Sequence, residues 1–141
     1  MRILLMACAV AAVCVSGCSR GAPDTADKAE AATSSGKAKA IELNEMDFKA
    51  QTAQGVALVD FWAPWCPPCR TQGPIVDRVA GEIGGKAKVA KLNVDDARET
   101  AQAFKVSGIP TLVLMKDGKE VKRFTGVTQA DVLVKAIKEL L

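Results

Sequence analysis

The chain of 141 residues has no histidine, and its aromatic residues are two tryptophans and four phenylalanines. Its net charge of +3 is small, and no basic run is interleaved with aromatic residues. Domains that bind nucleic acids usually combine a strongly basic surface with aromatic side chains that stack on bases. The composition therefore predicts no nucleic-acid function. The length suits one globular domain with an appended segment.

The absence of histidine also restricts metal binding. Three cysteines, Cys8, Cys14 and Cys18, lie near the start of the chain, and Cys66 and Cys69 form a C-x-x-C pair. A structural zinc site needs four ligands, which one chain cannot gather from this pair alone. A site shared between two chains, with two cysteines from each, remains an alternative. We expect redox chemistry at the pair, with no metal and no other cofactor.

The C-x-x-C pair lies where a predicted strand meets a predicted helix. The apolar run Val56–Val59 is typical of a strand covered on both faces, and helical spacing follows the second cysteine. If Cys66 caps the helix and Pro67 takes its first position, the amide of Cys69 can point at the Cys66 sulfur. The positive helix end then favours a thiolate. We predict that Cys66 attacks disulfides and that Cys69 resolves the mixed disulfide.

Two separated motifs resemble the thioredoxin family. Residues 65–69 read Trp-Cys-Pro-Pro-Cys after an apolar strand, and residues 107–111 read Ser-Gly-Ile-Pro-Thr. The resemblance covers residues 41–141, although Pro67 stands where typical thioredoxins have glycine. It implies a thioredoxin-like α/β fold, with a mixed central sheet flanked by helices on both faces. It also implies a monomeric enzyme that exchanges disulfides with protein substrates.

The resemblance assigns roles to two charged residues. Thioredoxins have a buried aspartate at the position of Asp60, thought to take the proton of the resolving cysteine, here Cys69. They also have a lysine in the sequence context of Lys91, which approaches that aspartate, so the resemblance pairs Lys91 with Asp60. From the residues alone, Asp60 is equally compatible with the exposed end of a strand, and Lys91 with a solvent-facing position.

The resemblance also implies a surface for substrate docking. In thioredoxins the proline at the position of Pro110 is cis and faces the cysteine pair, although X-Pro bonds in general favour trans. The backbone of Ile109 would then hydrogen-bond an extended substrate segment. Trp65, beside the first cysteine, and Gly126, where thioredoxins keep a glycine close to the site, would complete this surface.

The first residues predict a targeting segment. Arg2 is followed by the uncharged run Ile3–Val15, which is short for a permanent membrane helix. Residues 15–18, Val-Ser-Gly-Cys, resemble the lipobox of bacterial lipoproteins, in which the chain is cut before the cysteine and Cys18 is lipidated. An ordinary secretory signal is the alternative. We therefore expect a signal peptide over 1–17, a lipidated flexible tether over 18–40 and the thioredoxin domain over 41–141.

Together these features predict a lipid-anchored thiol-disulfide oxidoreductase on the periplasmic side of a bacterial membrane. We expect it to reduce protein disulfides, because Pro67-Pro68 places neither a charge nor an N–H between the cysteines to stabilise the reduced form further. A membrane thiol relay would supply the electrons. The alternatives are a disulfide oxidase or isomerase, and a lipid-tethered chaperone or scaffold that binds peptides.

Local patterns predict the boundaries of several elements. Gly73-Pro74 is expected to interrupt the helix that begins at Cys66, and Asp117-Gly118 to form a hairpin turn. Polar residues that can accept hydrogen bonds from first-turn amides precede three further helices. These predicted caps are Asn44 with Asp47, Asp95 with Asp96, and Thr128 with Asp131.

Overall fold

The computed structural model describes residues 38–141. The predicted signal peptide, Cys18 and all but the end of the predicted tether lie outside the described residues. Within them, no helix is long and apolar enough to cross a membrane. The elements of the described part are β1 (Ile41–Leu43), α1 (Glu45–Thr52), β2 (Val56–Trp62), α2 (Pro67–Ile83), β3 (Lys88–Asn93), α3 (Arg98–Ala103), β4 (Thr111–Lys116), β5 (Lys119–Thr125) and α4 (Ala130–Lys138).

The five strands form one mixed sheet in the order β1-β3-β2-β4-β5. The strands β1, β3 and β2 are parallel, whereas β4 is antiparallel to β2 and β5 is antiparallel to β4. The central strand is β2, in which Asp60 faces Lys91 of β3 on one side and Leu112 of β4 on the other. The predicted mixed sheet is confirmed.

Side chains of β2 alternate between two hydrophobic clusters, as the period of a strand requires. Leu58 packs with α2 and α4 on one face of the sheet, and Phe61 packs with α1 and the end of α3 on the other. On the second face the ring of Phe48 lies 5.2 Å from that of Phe104 and 6.2 Å from that of Phe61, centroid to centroid. Helices therefore cover both faces of the sheet, as predicted.

Two of the predicted turns and ends are confirmed. Asn44 caps α1, because its side-chain oxygen accepts hydrogen bonds of 2.9 Å from the amides of Met46 and Asp47. The hairpin between β4 and β5 turns at Asp117 and Gly118, both of which have positive φ angles, 49° and 77°. Glycine and aspartate are residues that adopt this left-handed conformation readily.

The other two predicted caps are wrong. The residue before α4 is Gln129, and its side chain makes no capping hydrogen bond. The residue before α3 is Ala97, which has no side-chain oxygen to cap that helix. In α3 the amide of Thr100 instead donates to the carboxylate of Glu45, at the start of α1, over 2.9 Å. A carboxylate from another element thus takes the place of a local cap at α3.

The predicted interruption of α2 is also wrong. The helix runs from Pro67 to Ile83 with Pro74 inside it. Pro74 is exposed, as is Arg70, whose carbonyl loses its helical partner because proline has no N–H. Water can reach a carbonyl on this side, so the loss of one hydrogen bond does not end the helix. Gly84 then ends α2 in the left-handed conformation, with φ of 58°.

We predict that Leu58→Ala lowers the free energy of unfolding by about 2–5 kcal/mol, because Leu58 is fully buried in the central strand. Val121→Ala, at a half-exposed position of the edge strand β5, is the matched control and should cost less than about 1 kcal/mol. Urea unfolding curves of the two variants measure both values. Equal losses would contradict the placement of β2 at the centre of the core.

Candidate functional site

Cys66 and Cys69 lie at the start of α2 and are joined by a disulfide with an S–S distance of 2.06 Å. Cys66 is the N-cap residue, with extended backbone angles, and Pro67 and Pro68 take the first helical positions. The amide of Cys69 donates to the Cys66 sulfur over 3.3 Å. The structure thus has the arrangement predicted from the sequence, in which a helix end and one amide favour negative charge on Cys66.

The disulfide is surrounded by apolar groups and almost excluded from solvent. Each cysteine is 3% exposed, and Ala63 packs against both. Trp62, Val94 and Ile109 cover this cluster from three directions. A new thiolate here would have little solvation from water, so the backbone dipoles at the helix start carry most of its stabilisation.

The peptide bond between Ile109 and Pro110 is cis, as the resemblance implied. The carbonyl oxygen of Ile109 lies 3.8 Å from the Cys66 sulfur, which has no proton in the disulfide and therefore makes a contact there, not a hydrogen bond. The carbonyl of Pro110 accepts a hydrogen bond of 2.8 Å from the amide of Gly126. The segment before β4 and the segment after β5 are therefore joined beside the cysteine pair.

Gly126 is required for its backbone conformation. Its φ is 84°, in the region where only glycine is unstrained. A Cβ atom added at Gly126 would have no heavy atom within 4 Å. The positive φ angle therefore accounts for glycine at this position, and the space next to it is open.

Trp65 is the exposed aromatic residue next to Cys66. It is 64% exposed, and its indole N–H donates to the carboxylate of Asp95 over 2.8 Å. The predicted role of Asp95 as a helix cap is wrong, because this carboxylate holds the indole in place. The residues are far apart in the chain, so no local pattern indicated the contact.

Asp60 is buried, which excludes the alternative of an exposed strand end. It is 1% exposed, and within the described residues its Oδ1 has no hydrogen-bond partner. Burial raises the pKa of Asp60 from 3.8 to about 7, against a lowering by the charge of Lys91 and with a smaller raising by Glu42. The carboxyl can therefore gain and lose a proton near neutral pH.

Lys91 lies opposite Asp60 in the register of β2 and β3, but its ion pair is with another residue. Its ammonium lies 2.9 Å from Oδ1 of Asp77, on α2. The predicted approach of Lys91 to Asp60 is therefore confirmed, and the charge of Lys91 acts on Asp60, but the ion pair of Lys91 is with Asp77. Asp77 is 28% exposed in its side chain and also accepts from the amide of Ala40 over 3.2 Å, so its charge is better solvated than that of Asp60.

Gln72, which the sequence did not single out, is fully buried on the same face of α2 as Cys69. Its Nε2 donates to the carbonyl of Thr128 over 3.2 Å, and its Oε1 accepts from the amide of Thr128 over 2.8 Å. The hydroxyl of Thr128 donates to the carbonyl of Gly126 over 3.2 Å, and Gln129 is the residue before α4, so Thr128 does not cap that helix. A polar residue within an apolar helical stripe was the available signal, but its partner could not be read from the sequence.

Across residues 38–141, no group of three or more His, Cys, Asp or Glu side chains is placed to hold an ion. The chemistry that this arrangement offers is the opening and closing of the Cys66–Cys69 bond, and on the same chain Asp60 is a buried carboxyl whose pKa lies close to neutrality.

We predict that Asp77→Asn lowers the pKa of Asp60 below its present value of about 7. The substitution releases the ammonium of Lys91 to interact with Asp60 and removes a negative charge, and both changes favour the ionised carboxylate. Carboxyl-carbon NMR titration of the wild-type chain and the variant measures the shift. Asp131→Asn, on the exposed surface of α4, is the control and should change nothing. A pKa of Asp60 that stays constant or rises in Asp77→Asn would contradict the ion-pair arrangement.

Comparisons with known proteins agree with this geometry. The thioredoxin family profile matches residues 39–139. The chain is 38% identical over 101 residues to thioredoxin of Bacillus subtilis (strain 168), a match that covers 72% of this chain and 97% of that protein. It is 40% identical over 103 residues to thioredoxin 2 of Chlorobaculum tepidum, covering 72% and 94% of the two chains.

A solved structure of a mutant thioredoxin from Halobacterium salinarum NRC-1 superimposes with a TM-score of 0.68 at 32% identity, covering 76% of this chain and 95% of that one. Fold, motifs and cysteine geometry therefore lead to one assignment. The chain belongs to the thioredoxin family and is a thiol-disulfide oxidoreductase.

Proposed function

We propose that this thioredoxin domain reduces protein disulfides outside the cytoplasm while a lipid on Cys18 anchors it to the periplasmic side of a bacterial membrane. The observation that supports the reducing direction is the surroundings of the Cys66 sulfur. Among the described residues, the amide of Cys69 is the one hydrogen-bond donor to it. The location is supported by the signal-like residues 1–17.

The reaction transfers two electrons from the cysteine pair to the substrate. The Cys66 thiolate attacks one sulfur of a substrate disulfide, and the other substrate sulfur leaves as a thiolate. Cys69 then loses its proton and attacks the Cys66 sulfur of the mixed disulfide. This step closes the Cys66–Cys69 bond and releases the second substrate thiolate. The Cα atoms of the pair are 5.3 Å apart, as a disulfide requires.

Stabilisation of the reduced form decides the direction of exchange. A strong oxidant stabilises its dithiol, usually by several donors or a cation near the attacking sulfur. Here Pro67 and Pro68 supply no N–H, and the guanidinium of Arg70 donates to the carbonyl of Pro64. One amide and the helix end give modest stabilisation, which favours a reductant.

Asp60 is the proposed acceptor of the Cys69 proton. It lies on the face of β2 that α2 covers, its Oδ1 is unpaired among the described residues, and its pKa is about 7. A group with this pKa is partly ionised at neutral pH, so it can take a proton as Cys69 attacks and release it afterwards. Lys91, held by Asp77, is proposed to tune this acceptor through its positive charge, which lowers the pKa of Asp60.

Substrate docking is proposed on the surface made by Trp65, Ile109, Pro110 and Gly126. An extended segment beside the substrate disulfide would pair with the backbone of Ile109, as an added strand does. The open space above Gly126 leaves room for that segment. The exposed indole of Trp65, fixed by Asp95, would supply apolar contact area.

The proposed location depends on residues that precede the family match. The match begins at residue 39, and Ala40 is already buried against the domain. We propose residues 1–17 as the signal peptide, 18–40 as the tether, whose last residue Ala40 already packs on the domain, and 41–141 as the catalytic domain, which acts as a monomer. A membrane thiol relay would return two electrons to the Cys66–Cys69 disulfide, because cytoplasmic reductases cannot reach this side.

We predict that the wild-type chain fractionates with membranes and that its Cys66–Cys69 pair is mostly reduced in intact cells. Acid-quenched thiol trapping with fractionation measures both. Cys18→Ala should move the protein out of the membrane fraction, and removal of the membrane thiol relay should leave the pair oxidised. A pair that is mostly oxidised in wild-type cells would indicate an oxidase instead. Retained biological activity in Cys66→Ser, Cys69→Ser would indicate a scaffold.

We predict that Asp60→Asn slows disulfide exchange by roughly tenfold near neutral pH, because the amide cannot accept the Cys69 proton. The rate measured from about pH 6 to pH 9 should depend less on Asp60 at the alkaline end, where hydroxide and solvent deprotonate the thiol directly. Asp131→Asn serves as the control for loss of one carboxylate. An Asp60→Asn rate equal to wild type over this range would exclude the proton-transfer role.

A further inference from the structure

Gln72 is an exception within the buried face of α2. The residues that follow it on this face, Val76 and Val79, are apolar and belong to the hydrophobic cluster below the helix. Gln72 is as completely buried as they are, with 0% exposure. A buried amide is costly unless its donor and acceptor are both engaged. A requirement beyond core packing therefore explains a glutamine here.

Both ends of the Gln72 amide bind the backbone of one residue, Thr128. Nε2 donates to the Thr128 carbonyl over 3.2 Å, and Oε1 accepts from the Thr128 amide over 2.8 Å. The backbone N–H and C=O of Thr128 are thus both hydrogen-bonded, as they would be to a neighbouring strand. Gln72 lies one turn beyond Cys69, so its hydrogen bonds connect α2, the helix that carries the cysteines, to the segment between β5 and α4.

That segment, residues 126–128, is held at its other end as well. The amide of Gly126 donates to the carbonyl of Pro110 over 2.8 Å. Between the two attachment points, Val127 projects outward with 42% of its surface exposed. The 126–128 segment is therefore fixed by Pro110 at one end and by Gln72 at the other, and it carries an exposed apolar side chain beside the docking surface.

We propose that Gln72 is a positioning residue for the recognition of protein substrates. Its amide fixes the 126–128 segment, so that Gly126 and Val127 contact the polypeptide that flanks the substrate disulfide. The inference rests on the proposed function, in which an extended segment docks across Ile109 and Gly126. Gln72 takes no part in the chemical steps. Its effect falls on substrates large enough to reach the 126–128 segment.

The test is a comparison of kinetic parameters for a large and a small disulfide. Gln72→Met keeps a similar volume and an unbranched chain but leaves the N–H and C=O of Thr128 without partners. With the full-length chain in mild detergent, we expect KM for insulin to rise roughly fivefold while kcat changes less than about twofold. Hydroxyethyl disulfide is too small to reach the 126–128 segment. Its rate of reduction by Gln72→Met should therefore change as little as kcat for insulin does, by less than about twofold.

Thr52→Val is the matched control for general loosening of the domain. Thr52 is 3% exposed, and its hydroxyl donates to the carbonyl of Phe48 over 2.8 Å within α1, away from the cysteine pair. This variant also loses a buried bond from a side chain to the backbone, yet its KM for insulin should equal that of wild type. An unchanged KM in Gln72→Met, or an equal rise in Thr52→Val, would overturn the inference.

Amide hydrogen exchange gives a second measurement, independent of whether Gln72→Met folds. In the wild-type chain the amide of Thr128 should exchange slowly, like the amides within α4, because it is bonded to Gln72. Exchange as fast as in an unstructured peptide would show that Gln72 does not hold Thr128 and would overturn the inference. Insulin reduction by wild type no faster than by Cys66→Ser, Cys69→Ser would overturn the proposed function and the inference together. Normal reduction with an unchanged KM in Gln72→Met overturns the inference alone.

Discussion

The amide of Cys69 reaches the Cys66 sulfur because Cys66 caps α2, which begins shortly after the buried strand β2 ends. The sheet then brings the rest of the site to the same edge. The strands β2 and β3 are parallel, with Trp62 opposite Asn93, so the segment that carries Asp95 leaves the sheet beside the cysteines. Loops at the carboxyl ends of parallel strands form the usual ligand sites of such sheets.

The strands β4 and β5, on the antiparallel side of the sheet, also bring residues of the site to this edge. Thr111 at the start of β4 is opposite Phe61 near the end of β2, so the cis bond before Pro110 lies next to the cysteine pair. Thr111 is also paired with Thr125 at the end of β5, which brings Gly126 to the same place. Strand direction and register thus assemble a site from segments that are distant in the chain.

The sequence predicted best what depends on local chemistry. The buried strand at Val56–Val59, the cap at Asn44 and the position of Cys66 at a helix start follow from residue type and spacing. The approach of Lys91 to Asp60 was predicted, but its ion pair with Asp77 was not, because strand register alone cannot reveal a competing carboxylate on α2. The partners of Gln72 and Trp65 were not predicted because those contacts join residues that only the complete fold brings together.

The contacts around the docking surface share one physical consequence. Trp65 is held by Asp95, Gly126 by the carbonyl of Pro110, and the end of the 126–128 segment by Gln72. Each hydrogen bond comes from a different element, so the surface is ordered when the domain folds and not when a substrate arrives. A surface ordered in advance loses less conformational entropy on binding, so weak backbone contacts suffice to hold a substrate for exchange.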